Sequence, residues 1–303
     1  MAELDEPEHA PGPRHVPVML LEVLECLAPR PGQVVVDATV GAGGHASEIA
    51  RQIEPSGCLI ALDRDPAMLE IARRCIPGTN ARFFEANFAD LREVLDAAGI
   101  DRVDAVLMDL GVSSDQLDDA TRGFSFVQPG PLDMRMNPQV GEPAARLVSR
   151  LKAEDLAELF FRYGEERHSR RVARAIVEAR GEKPIETTEQ LAQIVRRAMP
   201  RGRARQRIDP ATRVFQALRI AVNDELTSLE RALDTLPACL KPGGRAVVIS
   251  FHSLEDRLVK QAFRRRDNWE PLVRKPLTPT AEEVASNPRA RSAKLRAARK
   301  VEG

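Results

Sequence analysis

The sequence predicts an α/β fold in which a parallel sheet is interrupted by an inserted all-helical domain. Short apolar runs rich in β-branched residues alternate with helical patterns from about residue 17 to Asp109. Between residues 123 and 223 such runs are missing and helical patterns follow one another, and a buried strand returns at residues 245–250. Alternating strands and helices are typical of a parallel sheet with helices on both faces, and the interruption marks the insert.

The N-terminal part of the chain leads into the first strand. Residues 1–14 are acidic and lack periodicity, so we expect a disordered leader. Apolar residues recur at helical spacing between residues 17 and 27, and they predict a short helix before the sheet begins.

The segment VVVDATVGAGGH at residues 34–45 predicts a strand, a glycine turn and the start of a helix, in that order. Glycines allow a ligand to come close to the backbone, and the first N–H groups of a helix have no partner within the helix. This corner therefore predicts a binding site for a nucleotide-like ligand.

Three further strands are predicted at residues 58–62, 82–86 and 103–108, and Pro66 suits the first turn of the helix that follows the first of them. Because ligands of parallel sheets bind beyond the carboxyl ends of the strands, polar residues at those ends are candidates for the site. Such residues are Asp37, Asp63, Asn87 and Asp109.

The predicted insert contains helices at residues 153–162, 168–180 and 187–199, and a fourth that begins at Asp209 and Pro210. Four polar residues share one face of this fourth helix, and that face is either solvated or directed at a site. The absence of lysine and glutamate from the stripe favours a site. Its members are Thr212, Gln216, Arg219 and Asn223.

The segment KPGG at residues 241–244 predicts a turn that leads into the last buried strand. Phe251, His252 and Ser253 follow at the carboxyl end of that strand, and a helix begins at Leu254. These residues are therefore candidates for the same edge of the sheet.

Composition excludes several classes of protein. Lysine plus arginine and aspartate plus glutamate both number 45, so net charge does not indicate a polyanionic partner. The four cysteines are scattered, which argues against a zinc site or a disulfide framework and fits a reducing cytoplasm. No apolar run reaches about 18 residues, so we expect a cytoplasmic protein with no membrane partner.

Two cofactors fit the glycine corner. Gly41, Gly43 and Ala46 match the dinucleotide pattern G-x-G-x-x-G/A, and Asp63 lies about 20 residues further on, where an acid binds the ribose. S-adenosylmethionine needs the same ribose acid, and its corner typically has an acid before the glycines, as Asp37 is here. The corner favours S-adenosylmethionine, but by itself it leaves both cofactors open.

The segment DLGVSSDQLD at residues 109–118 closely resembles the signature of the RsmH/MraW family. Asp115 is a departure, because the family usually has proline there, and we expect this change to loosen the loop without affecting its neighbours. Further matches follow in order between about residues 15 and 297. They are HVPV (15–18), GAGGH (41–45), DRDP (63–66), RGFSF (122–126), GPLDMRM (130–136), GEER (164–167), TRVFQALRI (212–220), SFHSLEDR (250–257) and NPRARS (287–292).

This resemblance implies a class I S-adenosylmethionine-dependent methyltransferase with a Rossmann-like sheet. Its implied reaction is methylation of N4 of a decoding-centre cytidine (position 1402 in standard rRNA numbering) in 16S rRNA, within the small ribosomal subunit. The implied cofactor is S-adenosyl-L-methionine, and its contacts carry over by motif to Gly43, Gly44, His45, Asp63, Phe88, Asp109 and Gln116.

The implied contacts have physical roles. Asp63 can accept hydrogen bonds from the ribose hydroxyls, Phe88 can contact the adenine, and Asp109 can accept a hydrogen bond from an amino group. Two alternatives stay open: His45 as a surface residue that contributes only its backbone N–H, and Phe88 as a residue of the core.

Asp109 and His252 are the candidate catalytic residues. The lone pair of cytosine N4 is delocalised into the ring, so an enzyme must orient this amine and accept a proton from it. We expect Asp109, or a carbonyl beside it, to receive the amine. His252 is either a proton acceptor or a capping and packing residue.

An RNA substrate requires positive surface, and the sequence offers two basic segments. One is Arg196 and Arg197 together with Arg201, Arg203, Arg205 and Arg207, and the other is residues 288–300, with six basic residues and no acid. We expect at least one of the two segments to contact phosphate.

The predicted domains are a methyltransferase domain at residues 15–122 and 224–303 and the helical insert at residues 123–223. Two other functions remain open from spacing alone: a nicotinamide-dependent oxidoreductase, for which no catalytic Tyr/Lys or Ser constellation is recognisable, and a non-catalytic RNA-binding assembly factor. A homodimer is one assembly that the sequence allows.

Overall fold

The computed structural model describes residues 16–76, 80–200 and 209–301, which form two compact units. The first comprises the chain up to Gly111, Thr235–His252 and the residues from Val259 onward; the second comprises Val112–Asp234 and Ser253–Leu258. The leader predicted at residues 1–14 and the arginines at 201, 203, 205 and 207 lie outside the described residues. The domain boundaries expected from the sequence stay predictions.

The helices and strands follow in this chain order: α1 Leu20–Leu27, β1 Val34–Asp37, α2 Gly44–Ile53, β2 Cys58–Asp63, α3 Pro66–Cys75, β3 Ala81–Glu85, α4 Leu91–Ala97, β4 Val103–Asp109, α5 Ser114–Asp118, α6 Ala144–Arg150, α7 Ala153–Gly164, α8 Ser169–Glu182, α9 Thr188–Ala198, α10 Ala211–Asn223, α11 Glu225–Cys239, β5 Leu240–Ser250, α12 Ser253–Ala262, β6 Trp269–Pro271, α13 Ala281–Ser286 and β7 Lys294–Lys300. Within the described ranges, no helix is both long and apolar enough to cross a bilayer.

The first unit is built on a seven-stranded sheet in the order β3-β2-β1-β4-β5-β7-β6. Strands β1 to β5 are parallel, as predicted, but β7 runs antiparallel to both β5 and β6. The sheet is therefore mixed, and its antiparallel end is a feature that the strand pattern does not predict. The sequence of β7 is KLRAARK. Its buried residues are Leu295, Ala297 and Ala298, and basic residues separate and flank them, so the sequence shows no apolar strand pattern.

Side chains of alternate strand residues form the main core of the first unit on one face of the sheet. Helices α1, α2 and α3 contribute buried residues such as Val23, Ile49 and Leu69 to this core. Successive residues of a strand point to opposite faces, and those facing the other way are also buried, so both faces are covered. The core-facing strand residues are Val35, Leu59, Ala61, Ala105, Leu107, Val247 and Ile249.

Strand β5 contains the segment that the sequence predicts to be a turn. Its pairing with β4 passes from Val103 opposite Leu240 directly to Ala105 opposite Arg245, so residues 241–244 form a bulge. Gly243 has a φ of 74° there, a conformation that favours glycine. The ammonium group of Lys241, within the bulge, lies 2.8 Å from a carboxylate oxygen of Asp104 at the start of β4.

The second unit is a helical bundle in which α7 packs against α8 and α10, and α9 packs against α8. The helices predicted at 153–162, 168–180 and 187–199 are confirmed as α7, α8 and α9. Asp209 accepts a hydrogen bond from the backbone N–H of Ala211 at 2.9 Å, so it starts α10 as expected. The bundle's fully buried side chains include Phe160, Val172, Ile176, Leu191, Val195, Val214 and Leu218.

The longer side chains of the polar stripe on α10 are hydrogen-bonded to other groups of the helical unit. The Gln216 side chain donates to the carbonyl of Tyr163, and the Arg219 guanidinium pairs with both carboxylate oxygens of Glu225. Buried Asn223 accepts from the backbone N–H of Met136 at 2.8 Å and donates to the carbonyl of Met134 at 2.8 Å. The longer polar groups of the stripe therefore bind neighbouring segments of the unit, and its orientation toward a site stays a prediction.

We predict that Asn223→Ala lowers the free energy of unfolding by about 1–3 kcal/mol, because it leaves the buried N–H of Met136 and the carbonyl of Met134 without their partner. Thr212→Ala is the matched control, since exposed Thr212 lies on the same stripe, and its effect is expected to stay within about 0.5 kcal/mol. Urea denaturation followed by circular dichroism measures both. Equal losses in the two variants would contradict the role given to Asn223.

Candidate active site

Three strand-end carboxylates point to the same face of the sheet. Asp37 pairs with Ala61 on β2 and with Leu107 on β4. Asp63 and Asp109 each lie two residues beyond these partners, so all three side chains share a face. Each strand residue adds about 3.3 Å, so Asp37 lies about 7 Å further from the carboxyl-end edge of the sheet than Asp63 and Asp109 do. This confirms that Asp37, Asp63 and Asp109 lie at strand ends on one edge.

Asp37 is the deepest of these acids. Burial raises its pKa to about 7, the backbone N–H of Thr39 acts in the opposite direction, and the nearby Asp63 carboxylate raises the pKa further. Thr39 donates this hydrogen bond at 3.1 Å. Asp37 is almost completely buried, so its role is to hold the backbone that follows β1.

Asp63 connects the glycine turn to α3. Its two carboxylate oxygens accept backbone N–H groups from Gly41 and Asp65, both at 2.9 Å. Burial raises the pKa of Asp63 to about 6, although these two hydrogen bonds lower it. Asp65 in turn caps α3 by accepting from the backbone N–H of Ala67 at 3.0 Å.

The glycines of the corner are needed by the protein itself as well as by any ligand. Gly43 has a φ of 90°, and a Cβ there would lie 3.2 Å from the Cγ1 of Ile76. A Cβ on Gly44 would lie 3.2 Å from the Cβ of Pro17. Close packing of α3 and of the segment before α1 therefore explains part of the glycine pattern that the sequence analysis assigns to ligand approach.

His45 is buried, so the alternative that it is a surface residue is wrong. Its Nε2 lies 2.9 Å from the carbonyl oxygen of Val18, and since a carbonyl only accepts, Nε2 carries a hydrogen. Its Nδ1 lies 3.6 Å from a carboxylate oxygen of Asp109. The backbone N–H of Asp109 donates to the hydroxyl of Thr39 at 2.7 Å. The ends of β1 and β4 and the start of α2 are thus linked.

Asn87 and Phe88 follow the end of β3, which is next to β2. The Asn87 side chain accepts from the backbone N–H of Ala89 at 3.0 Å and starts a short 3-10 turn at Phe88. Phe88 is only partly buried, so its ring retains accessible surface beside the edge that Asp63 occupies.

Phe251 lies against the backbone that follows Asp109. Gly111 has a φ of 108°, and a Cβ there would be 3.5 Å from the Cδ2 of Phe251. The backbone N–H of Leu110 donates to the carbonyl of Ile249 at 3.0 Å, which connects the ends of β4 and β5. An aromatic face is therefore present near Asp109, although residues 109–111 themselves supply none. His252 follows directly and is partly buried.

Gln116 belongs to the helical unit, where it caps α5. The Gln116 side chain accepts from the backbone N–H of Ser113, and the Ser113 hydroxyl accepts from the backbone N–H of Gln116. Asp115 lies in the first turn of α5, a position that suits both an acid and the family's proline. The spacing Ser-x-x-Gln is enough to indicate this capping box, which is not among the features predicted from the sequence.

The first turn of α12 is held by charged residues of the helical unit. Burial alone would lower the pKa of Arg219, but the carboxylates of Glu225 and Glu255 outweigh it and raise the pKa. Ser253 donates from its hydroxyl to Glu165, and the guanidinium of Arg257 lies 3.4 Å from the same carboxylate. No sequence pattern predicts this cluster, because its members are far apart along the chain.

The fold and the site define a class I S-adenosylmethionine-dependent methyltransferase. The seven-stranded sheet has an antiparallel strand between β5 and β6, the glycine corner follows β1, and acids end β2 and β4. These features confirm the fold class predicted from the sequence.

The chain belongs to the MraW methylase family, whose family model matches residues 12–301. It is 52% identical to "Ribosomal RNA small subunit methyltransferase H" of Geobacter sulfurreducens, over 95% of this chain and 99% of the relative. It is 50% identical to the protein of the same name from Sorangium cellulosum, over 98% and 94% of the two chains. The solved structure of a rRNA methylase from Streptococcus thermophilus aligns with a TM-score of 0.43 and 11% identity, covering 93% and 94%.

We predict that Gly43→Ala is more destabilising than Gly99→Ala. Both positions have positive φ, at 90° and 71°, so both substitutions cost about 1–2 kcal/mol of backbone strain. Only at Gly43 does the new methyl group also meet α3, whereas nothing lies within 4 Å at Gly99. Urea denaturation gives the two free energies of unfolding. Equal losses would contradict the packing reason for Gly43.

Proposed function

We propose that this chain transfers a methyl group from S-adenosyl-L-methionine to N4 of the decoding-centre cytidine at position 1402 of 16S rRNA. The observation that carries this proposal is about 50% identity, over nearly the whole chain, to relatives named small-subunit rRNA methyltransferase H. The strand-end acceptor Asp109, two residues before the Gly111 backbone that the Phe251 ring approaches, supports an amine of a planar base as the target.

The residues of the glycine corner fit the proposed cofactor. Each oxygen of Asp63 accepts one backbone N–H, and a carboxylate offers about four lone-pair sites in total. Asp63 therefore retains capacity to accept the two ribose hydroxyls. We assign Gly43, Gly44 and His45 to the amino-acid part of the cofactor through their backbone, and Phe88 to the adenine. Asp109 and Gln116 complete the proposed set.

Methyl transfer to cytosine N4 requires that this weakly nucleophilic amine be oriented. The bound cofactor would supply a methyl group on a positively charged sulfur, so positioning and removal of one proton are left to the protein. Asp109 would accept a hydrogen bond from the cytosine amine and direct its lone pair. The Val18 carbonyl orients the His45 ring, whose Nδ1 lies 3.6 Å from the Asp109 carboxylate and would hold it in place when both ring nitrogens carry a hydrogen.

His252 is the second proposed catalytic residue. It follows the ring of Phe251 at the end of β5, the neighbour of β4 in the sheet. In this proposal the ring of Phe251 supports the flipped base and His252 accepts the proton that N4 loses. Packing or capping by His252 is the competing role.

The proposed partner is 16S rRNA within the small ribosomal subunit, in the cytoplasm. The basic segments at residues 196–207 and 288–300 are proposed phosphate contacts. Several of their described side chains are already engaged: Arg196 pairs with Asp209, Arg299 pairs with Glu270, and Lys300 donates to the carbonyl of Leu240. A homodimer stays a prediction that analytical ultracentrifugation can test.

The reaction is tested with small-subunit particles from cells that lack the modification. Incubation with the protein and S-adenosylmethionine is expected to yield N4-methylcytidine, identified by mass spectrometry of the RNA nucleosides. Methyl groups on another atom would refute the N4 assignment. Binding of RNA without any methyl transfer would favour the assembly-factor alternative, and calorimetric binding of NAD in place of S-adenosylmethionine would favour the oxidoreductase.

We predict that Asp109→Asn reduces kcat of this reaction by about 100-fold or more, because the neutral amide is a weaker acceptor for the hydrogen bond that orients the cytosine amine. The affinity for S-adenosylhomocysteine, measured in parallel, separates a catalytic role from a binding role. Asp101→Asn is the control, since Asp101 is 91% exposed on the loop before β4. Normal kcat together with normal affinity would remove Asp109 from the site.

We predict that S-adenosylhomocysteine binds more tightly as the pH rises from 5 to 7. The raised pKa of Asp63, about 6, means that the carboxyl is protonated at the lower pH and becomes a full acceptor for the ribose hydroxyls at the higher pH. Calorimetry is expected to give a change of about tenfold, typical of a hydrogen bond to a charged group. Asp63→Asn is expected to bind weakly at every pH. An unchanged pH profile in that variant would contradict the assignment.

A further inference from the structure

The exposed face at the start of α8 carries four arginines and no acid. Arg170, Arg171 and Arg174 share one side of the first turns of α8, and Arg167 lies two residues before the helix, in the turn that leads into it. All four side chains are exposed. We call Arg167, Arg170, Arg171 and Arg174 the α8 arginine face.

The same helix distinguishes these arginines from a structural one. Its opposite side is buried against the bundle through Val172, Ala173 and Ile176. Near the C-terminal end of α8, Arg180 donates to the carbonyls of Val148 and Leu151, so its guanidinium is bound inside the helical unit. Within the described parts of the chain, no member of the α8 arginine face forms an ion pair.

Helix stability does not explain this arrangement. Like charges three and four residues apart on a helix repel one another. Positive side chains in the first turns also oppose the helix dipole, and the first turn of α8 contains no acid. The first acid further along the exposed face is Glu178. Arg174 has Glu178 one turn away, whereas Arg170 and Arg171 have no acid three or four residues away within α8, so their charges cost stability unless an anionic partner covers them.

We propose that the α8 arginine face binds phosphates of the substrate RNA. This inference rests on the proposed function, which supplies the RNA. A guanidinium binds phosphate through two parallel hydrogen bonds, and neighbouring side chains on this face are about 5–6 Å apart at Cβ, so several phosphates can be contacted together. Such contacts orient the RNA and contribute affinity, without reading its sequence.

The test compares Arg170→Gln/Arg174→Gln with the unchanged protein in binding to small-subunit particles over a series of salt concentrations. Each lost phosphate contact lowers the slope of log affinity against log salt by about one, so a decrease of about two is expected. In methylation assays KM for the particle rises while kcat and the affinity for S-adenosylhomocysteine stay unchanged. Arg167→Gln/Arg171→Gln gives an independent second measurement.

The control is Arg51→Gln/Arg74→Gln, which removes the same charge from exposed positions in the last turns of α2 and α3. Its salt slope is expected to match that of the unchanged protein. A slope unaltered in both α8 variants, or lowered equally in the control, would overturn the proposal.

The two proposals fail in different ways. If the unchanged protein methylates the cytidine but its salt slope is independent of the α8 arginines, only the RNA surface is refuted. If the slope depends on these arginines but no N4-methylcytidine forms, the surface holds and the proposed reaction is refuted.

Discussion

The pair of hydrogen bonds from Gly41 and Asp65 to the Asp63 carboxylate is the interaction on which the candidate site depends. It joins the turn after β1 to the end of β2 and to the start of α3. Because the glycine turn leads directly into α2, the same acid sets the position from which His45 reaches both Val18 and Asp109. The burial that surrounds these bonds also raises the pKa of Asp63 to about 6, so the residue that organises the corner is itself protonated in mildly acidic solution.

Much of this arrangement can be predicted from sequence because parallel strands impose it. Apolar runs that stop at an acid locate β1, β2 and β4, and the common direction of these strands brings Asp37, Asp63 and Asp109 to one edge. The depth of Asp37 relative to the other two requires the register, which no sequence pattern supplies. Likewise, burial of His45 depends on the carbonyl of Val18, a backbone group that has no signature in the sequence.

The features that the sequence does not predict also have physical causes. Strand β7 is hidden because long basic side chains alternate with small buried residues and mask the apolar pattern. The α10 stripe lacks lysine and glutamate because Gln216, Arg219 and Asn223 satisfy backbone and carboxylate groups inside the helical unit. The capping box at Ser113 and Gln116 has a local sequence pattern and is therefore predictable. The cluster around Arg219 joins residues that are far apart along the chain and that only folding brings together.

The path of the chain has a consequence for modularity. Residues Ser253–Leu258 belong to the helical unit although the segments on either side belong to the sheet unit. The helical unit is therefore discontinuous, and excision of Val112–Asp234 would separate Arg219 from Glu255 and Glu165 from Ser253. A fragment limited to Val112–Asp234 therefore lacks one segment of its own unit, and transfer of this unit to another protein requires both segments.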